Sequence, residues 1–194
     1  WARRGDRVRA TLFGARAKSV PAGAPNALEE LEWSIRVRCD HAEMLIRTEK
    51  LKEAADLTAG VLAEPTTAKS RFRASTLYLH GHSAYLLKDY ATAGKSLVQL
   101  APFADPVIGL HAQYLLARTH HLLEERAEAA ALYDGVLAGY ESQKGALQQA
   151  LRNPAIQTQP EEKLRLETIL RAPPDYVART NFHAGVLLYE QLKF

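Results

Sequence analysis

The chain has 194 residues, of which 47% are hydrophobic and only 8% aromatic, with alanine and leucine as the prominent apolar types. This composition favours closely packed helices over a sheet rich in β-branched and aromatic side chains. Cys39 is the single cysteine, which excludes an internal disulfide and a multi-cysteine metal site but leaves the cellular compartment open.

The net charge of +3 is concentrated at the start of the chain. Residues 1–27 carry one acidic side chain, Asp6, and six basic ones, a net charge of +5 that leaves −2 for residues 28–194; the basic residues are Arg3, Arg4, Arg7, Arg9, Arg16 and Lys18. A basic arm can bind nucleic acid or anionic lipid. Because this segment has no amphipathic period, we interpret residues 1–27 as a basic leader or linker and do not expect nucleic acid as a partner.

Breaker residues divide the rest of the chain into predicted helices. The cluster over residues 21–26 predicts a boundary near residue 26, with Asn26 as a helix cap and Glu29 and Glu30 in the first turn. Beyond it, apolar residues recur at three- and four-residue steps, interrupted by prolines at positions 65, 102, 106, 154, 160, 173 and 174. Helices are therefore predicted in pairs, and no apolar run approaches the roughly 20 residues that a membrane span needs.

Two neighbouring stretches share one spacing of small and large residues. The first is Leu77-x2-His80-Gly81-x2-Ala84 followed by Ala93-x3-Leu97-x2-Leu100, and the second is Gln113-x2-Leu116-Ala117-x2-His120 followed by Ala129-x3-Tyr133-x2-Val136. This pattern resembles the tetratricopeptide repeat, a pair of helices with a period of about 34 residues. The resemblance implies an all-α fold, an α-solenoid of antiparallel helix pairs whose stacking leaves one concave face.

Alignment on the small residues places four units in a repeat domain over residues 28–194. The units cover about 35–68, 74–107, 110–140 and 178–194, with small residues at Ala42 and Ala54, Gly81 and Ala93, Ala117 and Ala129, and Ala184-Gly185. The first unit is degenerate, and the fourth is incomplete because its second helix is expected to begin at Phe194. Residues 141–172 are predicted as a helical insertion, with a long helix from Ala127 to about Arg152 and a short one over 161–171; a degenerate repeat is the alternative.

In the tetratricopeptide family, the first helix of each unit lines the concave face. The resemblance therefore makes these residues candidates for binding a ligand or peptide: Arg36, Arg47, Tyr78, His82, Tyr85, His111, Tyr114, Arg118, His121, Arg179 and Tyr189. It also puts Cys39, Leu122, Phe182, Val186 and Glu190 on that face. Tyrosine and arginine are enriched at binding hot spots; the alternative is that these tyrosines pack against the next unit.

The residue types on this face favour some classes of peptide partner over others. Some family members bind an acidic peptide C-terminus through a clamp of lysine and asparagine residues, and the corresponding positions here hold neither. An extended peptide or a partner helix with a few acidic groups suits the Arg, His and Tyr set better.

The histidines do not form a convincing metal site. His80 with His82, and His120 with His121, are two and one residues apart, whereas ligands on one helix face lie about one turn apart. We interpret His80 and His120 as half-buried packing residues. A site made by His82, His111 and His121 is the weaker alternative, so we expect no metal and no cofactor.

We find no residue pattern typical of catalysis. Cys39 and His41 point about 200° apart on one helix and therefore cannot act as a pair. The sequence has no phosphate-binding glycine loop, nucleophile elbow or His-Glu-x-x-His motif. We expect no catalytic residues and no enzyme.

The sequence thus predicts a non-catalytic scaffold that binds a protein or peptide in a concave groove lined by Tyr, Arg and His. The alternatives are a structural array that self-associates through its repeat edges, and a regulatory repeat domain of a larger enzyme. The Ala- and Arg-rich composition favours a bacterial source. Because the chain begins at Trp1 and ends at Phe194 within a helical pattern, we expect a piece of a longer protein, and its localisation stays open.

Overall fold

The described part of the chain is all-helical, which confirms the all-α part of the predicted fold class, whereas the α-solenoid arrangement stays a prediction. The computed structural model describes residues 27–191, and none of them forms a β-strand. The cap at Asn26, the basic leader over residues 1–26 and the end of the chain over 192–194 lie outside the described residues. No helix over 27–191 has a stretch that is both apolar and long enough to cross a membrane. The chain divides into two compact units, and the boundary between them in the sequence falls between Pro102 and Phe103.

The first unit is a set of helices that pack on their neighbours in chain order. Its helices are α1 (Ala27–Arg47), α2 (Leu51–Ala63), α3 (Arg73–Leu86) and α4 (Tyr90–Leu97), with short 3-10 helices over Pro65–Lys69 and Val98–Leu100. Helix α1 packs on α2, α2 on α3 and α3 on α4, and α1 also contacts α3. Ile35, Val61 and Leu79 belong to the core of this unit, because each is almost completely buried.

The second unit is organised around one long helix. It contains α5 (Gly109–Leu122), α6 (Arg126–Leu151), α7 (Pro154–Gln157), α8 (Pro160–Arg171) and α9 (Asp175–Gln191). Helix α6 packs on α5, α8 and α9, and α9 also contacts α5. Helices α7 and α8 contain no buried residue, so they add little to the core of this unit.

Three hairpin loops share one backbone geometry. They join α1 to α2, α3 to α4 and α5 to α6, and each has a residue with a positive φ angle: Glu49 at 59°, Lys88 at 65° and Glu124 at 64°. In each loop the next amide donates to a carbonyl five residues earlier, at 2.9 Å, which is the bond of a Schellman C-cap. These positive-φ residues lie 39 and 36 residues apart, the same intervals as between Ala42, Gly81 and Ala117.

The small residues of the spacing pattern lie where helices approach closely. Ala42, Ala54, Ala93, Ala117 and Ala129 are completely buried. A Cβ atom on Gly81 would lie 2.6 Å from Cγ of Leu97, so a larger residue would push α3 and α4 apart. Gly185 on α9 differs, because a Cβ atom there would meet nothing within 4 Å.

Candidate functional site

The predicted site residues are divided between the two units, with five in the first and six in the second. In the first unit, both arginines are exposed and held by neighbours on α1. The guanidinium carbon of Arg36 lies 5.1 Å from the ring centroid of Trp33. Arg47 donates to the carboxylate of Glu43 at 2.6 Å, one helical turn away. The two arginines thus belong to the solvent-facing side of α1.

The aromatic candidates of the first unit lie on α3 and are half-buried. The rings of Tyr78 and His82 are 5.7 Å apart, and the ring of Tyr85 is 6.0 Å from that of Tyr90. Burial, assisted by the charge of Glu43, raises the pKa of Tyr78 to about 12, and burial lowers the pKa of His82. Both side chains are therefore uncharged at neutral pH.

Cys39 lies in the core of the first unit, which corrects its placement on an open face. The residue is 6% exposed, and its Sγ atom is 3.2 Å from Oγ1 of Thr76 on α3. Burial raises the pKa of the thiol. The thiol is therefore protonated at neutral pH and packs between α1 and α3.

In the second unit, aromatic rings from α5 and α9 form a cluster. The ring of His111 is 5.5 Å from that of Tyr176, and the ring of Tyr114 is 6.4 Å from that of His183. Tyr114 is only 4% exposed. Tyr114 is therefore a packing residue between α5 and α9. A ligand on this surface would contact the more exposed rings around it.

A pocket of about 540 Å³ lies between the C-terminal half of α5, the following loop and α9. Its apolar lining is Leu122, Phe182 and Val186. Its polar lining consists of two arginines, two glutamates and two histidines: Arg118, Arg126, Glu124, Glu190, His121 and His183. Two of the predicted site residues, Arg118 and His121, thus come together with four further residues of the predicted concave face: Leu122, Phe182, Val186 and Glu190.

His121 fixes the orientation of the charged groups around it. Nη1 of Arg118 lies 3.1 Å from Nδ1 of His121, and because a guanidinium only donates, this nitrogen must be the acceptor. The ring proton then resides on Nε2, which lies 3.3 Å from Oε2 of Glu190 and donates to it. The hydroxyl of Tyr133 is 3.2 Å from Nδ1 and donates to the same nitrogen. One neutral tautomer of a nearly buried histidine therefore connects Arg118 to Glu190.

The second histidine of the pocket, His183, is uncharged at neutral pH. Burial, together with the positive charges of Arg118 and Arg179, lowers the pKa of His183 to about 4. Its ring packs edge-on against Phe182 at 5.2 Å. At neutral pH, His183 is therefore an uncharged, half-buried side chain beside Phe182.

The remaining two predicted residues of α9 lie outside the pocket lining. Arg179 is exposed and pairs with Asp175 at 2.7 Å, one turn earlier on the helix. Tyr189 is 60% exposed, as is its neighbour Leu188. Together with Gly185, these side chains lie on a face of α9 that is open to solvent.

Sequence reasoning missed three residues that line the pocket: Glu124, Arg126 and His183. Glu124 and Arg126 belong to the loop and the first turn that follow α5, whereas the family pattern describes helix faces only. The spacing pattern therefore carries no signal for these two residues. His183 directly follows Phe182 in a helix rich in aromatic residues, which is the only sequence signal for it.

The described part of the chain offers no evident metal centre. Over residues 27–191, no three His, Cys, Asp or Glu side chains are grouped so as to hold a metal ion. No protein-family model, no curated protein and no solved structure matches this chain. The tetratricopeptide resemblance therefore stays a prediction from the spacing, and the function has to be argued from the chemistry of the pocket.

Proposed function

We propose that this protein is a non-catalytic interaction scaffold that binds a peptide, or an extended segment of a partner protein, in the pocket between α5 and α9. One observation carries the proposal: the pocket combines the exposed apolar surface of Phe182 with a guanidinium, that of Arg118, whose direction is set by His121. Its volume is in the range of about 300–1,000 Å³ that is usual for ligand sites. Apolar anchors beside a few oriented polar groups are typical of binding sites.

As part of the same proposal, the helices of each unit form tetratricopeptide-like pairs. The close contact of Gly81 with Leu97 and the complete burial of Ala117 and Ala129 support this, because the repeat needs small residues where its two helices cross. The three equivalent hairpin loops support it as well. In such pairs, first helices of successive repeats lie side by side, as α5 and α9 do.

The proposal predicts that Phe182→Ala weakens peptide binding strongly. A phage-displayed library of random peptides would be selected on the full chain, and the affinity of the selected peptides measured by fluorescence anisotropy. Loss of a central aromatic anchor costs about 2 kcal/mol or more, which corresponds to a roughly 30-fold weaker affinity. Because Phe182 is 66% exposed, its truncation should leave the fold intact, which far-UV circular dichroism checks.

Leu164→Ala is the matched control. Leu164 lies on α8, is 60% exposed and does not line the pocket, so its truncation removes a similar amount of exposed apolar surface elsewhere in the same unit. We expect the selected peptides to bind this variant as they bind the unaltered chain. Equal affinity for the Phe182→Ala and Leu164→Ala variants, or failure to select any peptide, would contradict the proposed function.

A further inference from the structure

We infer that the peptide bound by this pocket presents an acidic side chain next to an apolar one, the carboxylate meeting Arg118 and the apolar group packing on Phe182 and Val186. The inference rests on the proposed function and specifies its ligand. It commits to a carboxylate on a side chain within the peptide, as opposed to a carboxylate at the peptide C-terminus.

The polar side of the pocket is arranged for a carboxylate. Arg118 is half-buried, and its hydrogen bond to His121 holds the guanidinium in a fixed direction. A guanidinium held in one orientation donates directed, charge-assisted hydrogen bonds to a carboxylate. Arg126 adds a second guanidinium to the lining.

The two arginines and two glutamates of the pocket lining give it a formal charge of zero. The positions of these charges therefore determine whether the pocket favours an anion. Glu190 accepts the ring proton of His121 and thereby helps to fix the hydrogen bond that orients Arg118. Glu124 lies in the loop and is exposed to solvent, where its charge is screened. Besides burial, the positive charges of Arg118 and Arg179 lower the pKa of His183. A carboxylate bound beside His183 would therefore lie near these two guanidinium groups.

The apolar side of the pocket lies directly next to these charges. Phe182 and Leu122 are 66% and 40% exposed, and Val186 lies one turn after Phe182 on α9. Covering these side chains would remove apolar surface from water, which favours binding. A ligand that carries a carboxylate and an apolar group side by side satisfies both halves of the pocket.

The test uses four capped dipeptides titrated into the full chain, with the ring proton signals of His183 followed by NMR. The probes are acetyl-Leu-Glu-amide, its neutral counterpart acetyl-Leu-Gln-amide, acetyl-Gly-Glu-amide without the apolar side chain, and acetyl-Gln-Leu with a free C-terminal carboxylate. We expect acetyl-Leu-Glu-amide to bind at least about tenfold more tightly than the other three, because two of them lack a side-chain carboxylate for Arg118 and acetyl-Gly-Glu-amide lacks the apolar side chain. Its carboxylate should also raise the pKa of His183 above its value of about 4.

Two variants distinguish a direct contact between Arg118 and the probe carboxylate from a general electrostatic attraction by nearby arginines. Arg118→Gln should abolish the preference for glutamate over glutamine. Arg179→Gln removes a charge that also acts on His183 but does not line the pocket, so it should leave the preference in place. An equal loss of preference in both variants would overturn the assignment of the carboxylate to Arg118.

The outcomes also distinguish this inference from the proposed function. Equal binding of the glutamate and glutamine probes, or tighter binding of the free C-terminal acid, would overturn the inference while leaving the pocket as a peptide site. If neither the four probes nor any phage-selected peptide changes the His183 signals, the proposed function fails together with the inference.

Discussion

Single side chains decide the character of the pocket in the second unit. His121 accepts from Arg118 and donates to Glu190, so one ring sets the direction of an arginine and a carboxylate on different helices. His183 stays uncharged at neutral pH because of its burial and the neighbouring positive charges. Such properties depend on which atoms meet in space: the sequence predicted His121 as a binding residue but not its hydrogen bonds, and it did not predict His183.

The lowered pKa of His183 predicts how stability depends on pH. In the unfolded chain its pKa lies near 6.5, and in the folded protein it is about 4, so between these values the unfolded state binds more protons. The contribution of neutral His183 to stability is therefore fully present above about pH 6.5 and is lost progressively as the pH falls toward 4. We expect the His183→Gln variant to lose less stability than the unaltered chain between pH 7 and pH 4.5.

Urea unfolding followed by circular dichroism at these two pH values measures the difference directly. His80 and His82, whose pKa values are also lowered by burial, are present in both proteins, so the comparison isolates His183. An identical loss of stability in the two proteins would show that His183 is protonated equally in the folded and unfolded chains.

At the scale of helices and loops, local signals in the sequence were sufficient for much of the fold. Apolar periodicity and prolines predicted an all-helical chain, with a long helix from Ala127 to about Arg152 where the structure has α6 over Arg126–Leu151. The hairpin geometry was missed, because Glu49, Lys88 and Glu124 occupy a left-handed conformation in which glycine is the usual signal. The three loops thus share one backbone geometry, although the residue type at the left-handed position is not the same in all three.

The left-handed residue Lys88 offers a test of this hairpin geometry. This conformation destabilises a residue with a Cβ atom by about 1–2 kcal/mol. Glycine adopts it freely but loses more chain entropy on folding. We therefore expect Lys88→Gly to raise the free energy of unfolding by up to about 1 kcal/mol. Lys88→Ala, which removes the charge but keeps the Cβ atom, is the control and should change stability little. A glycine variant less stable than the alanine variant, in urea unfolding, would contradict the assigned backbone conformation.

At the scale of the whole chain, the sequence could not predict the pocket itself. The hydrogen bond between His121 and Glu190 joins residues 69 positions apart, and it forms only because α9 returns to α5 after the α7–α8 segment. The spacing pattern placed Arg118, His121, Phe182 and Glu190 on one face through its resemblance to a known repeat. It contained no information about Arg126 and His183, which come from outside that face.

If the chain self-associates through a repeat edge, as the sequence predicts as an alternative, we expect the contact to involve the exposed face of α9. Phe182, Leu188 and Tyr189 are each at least 60% exposed there, and Gly185 has open space above it. Phe182 also lines the pocket, so a second copy on this face and a peptide in the pocket would compete. Self-association stays a prediction, and it is distinguishable from peptide binding because it raises the molecular mass with protein concentration when no peptide is present.

The central claim is that a peptide binds between α5 and α9, and mapping of backbone amide NMR shifts with a phage-selected peptide tests it most directly. We predict that the largest shift changes fall on residues 118–126 and 182–190, which contain all of the pocket lining. Largest changes on α1 to α4, or on α7 and α8, with the pocket residues unaffected, would contradict the claim.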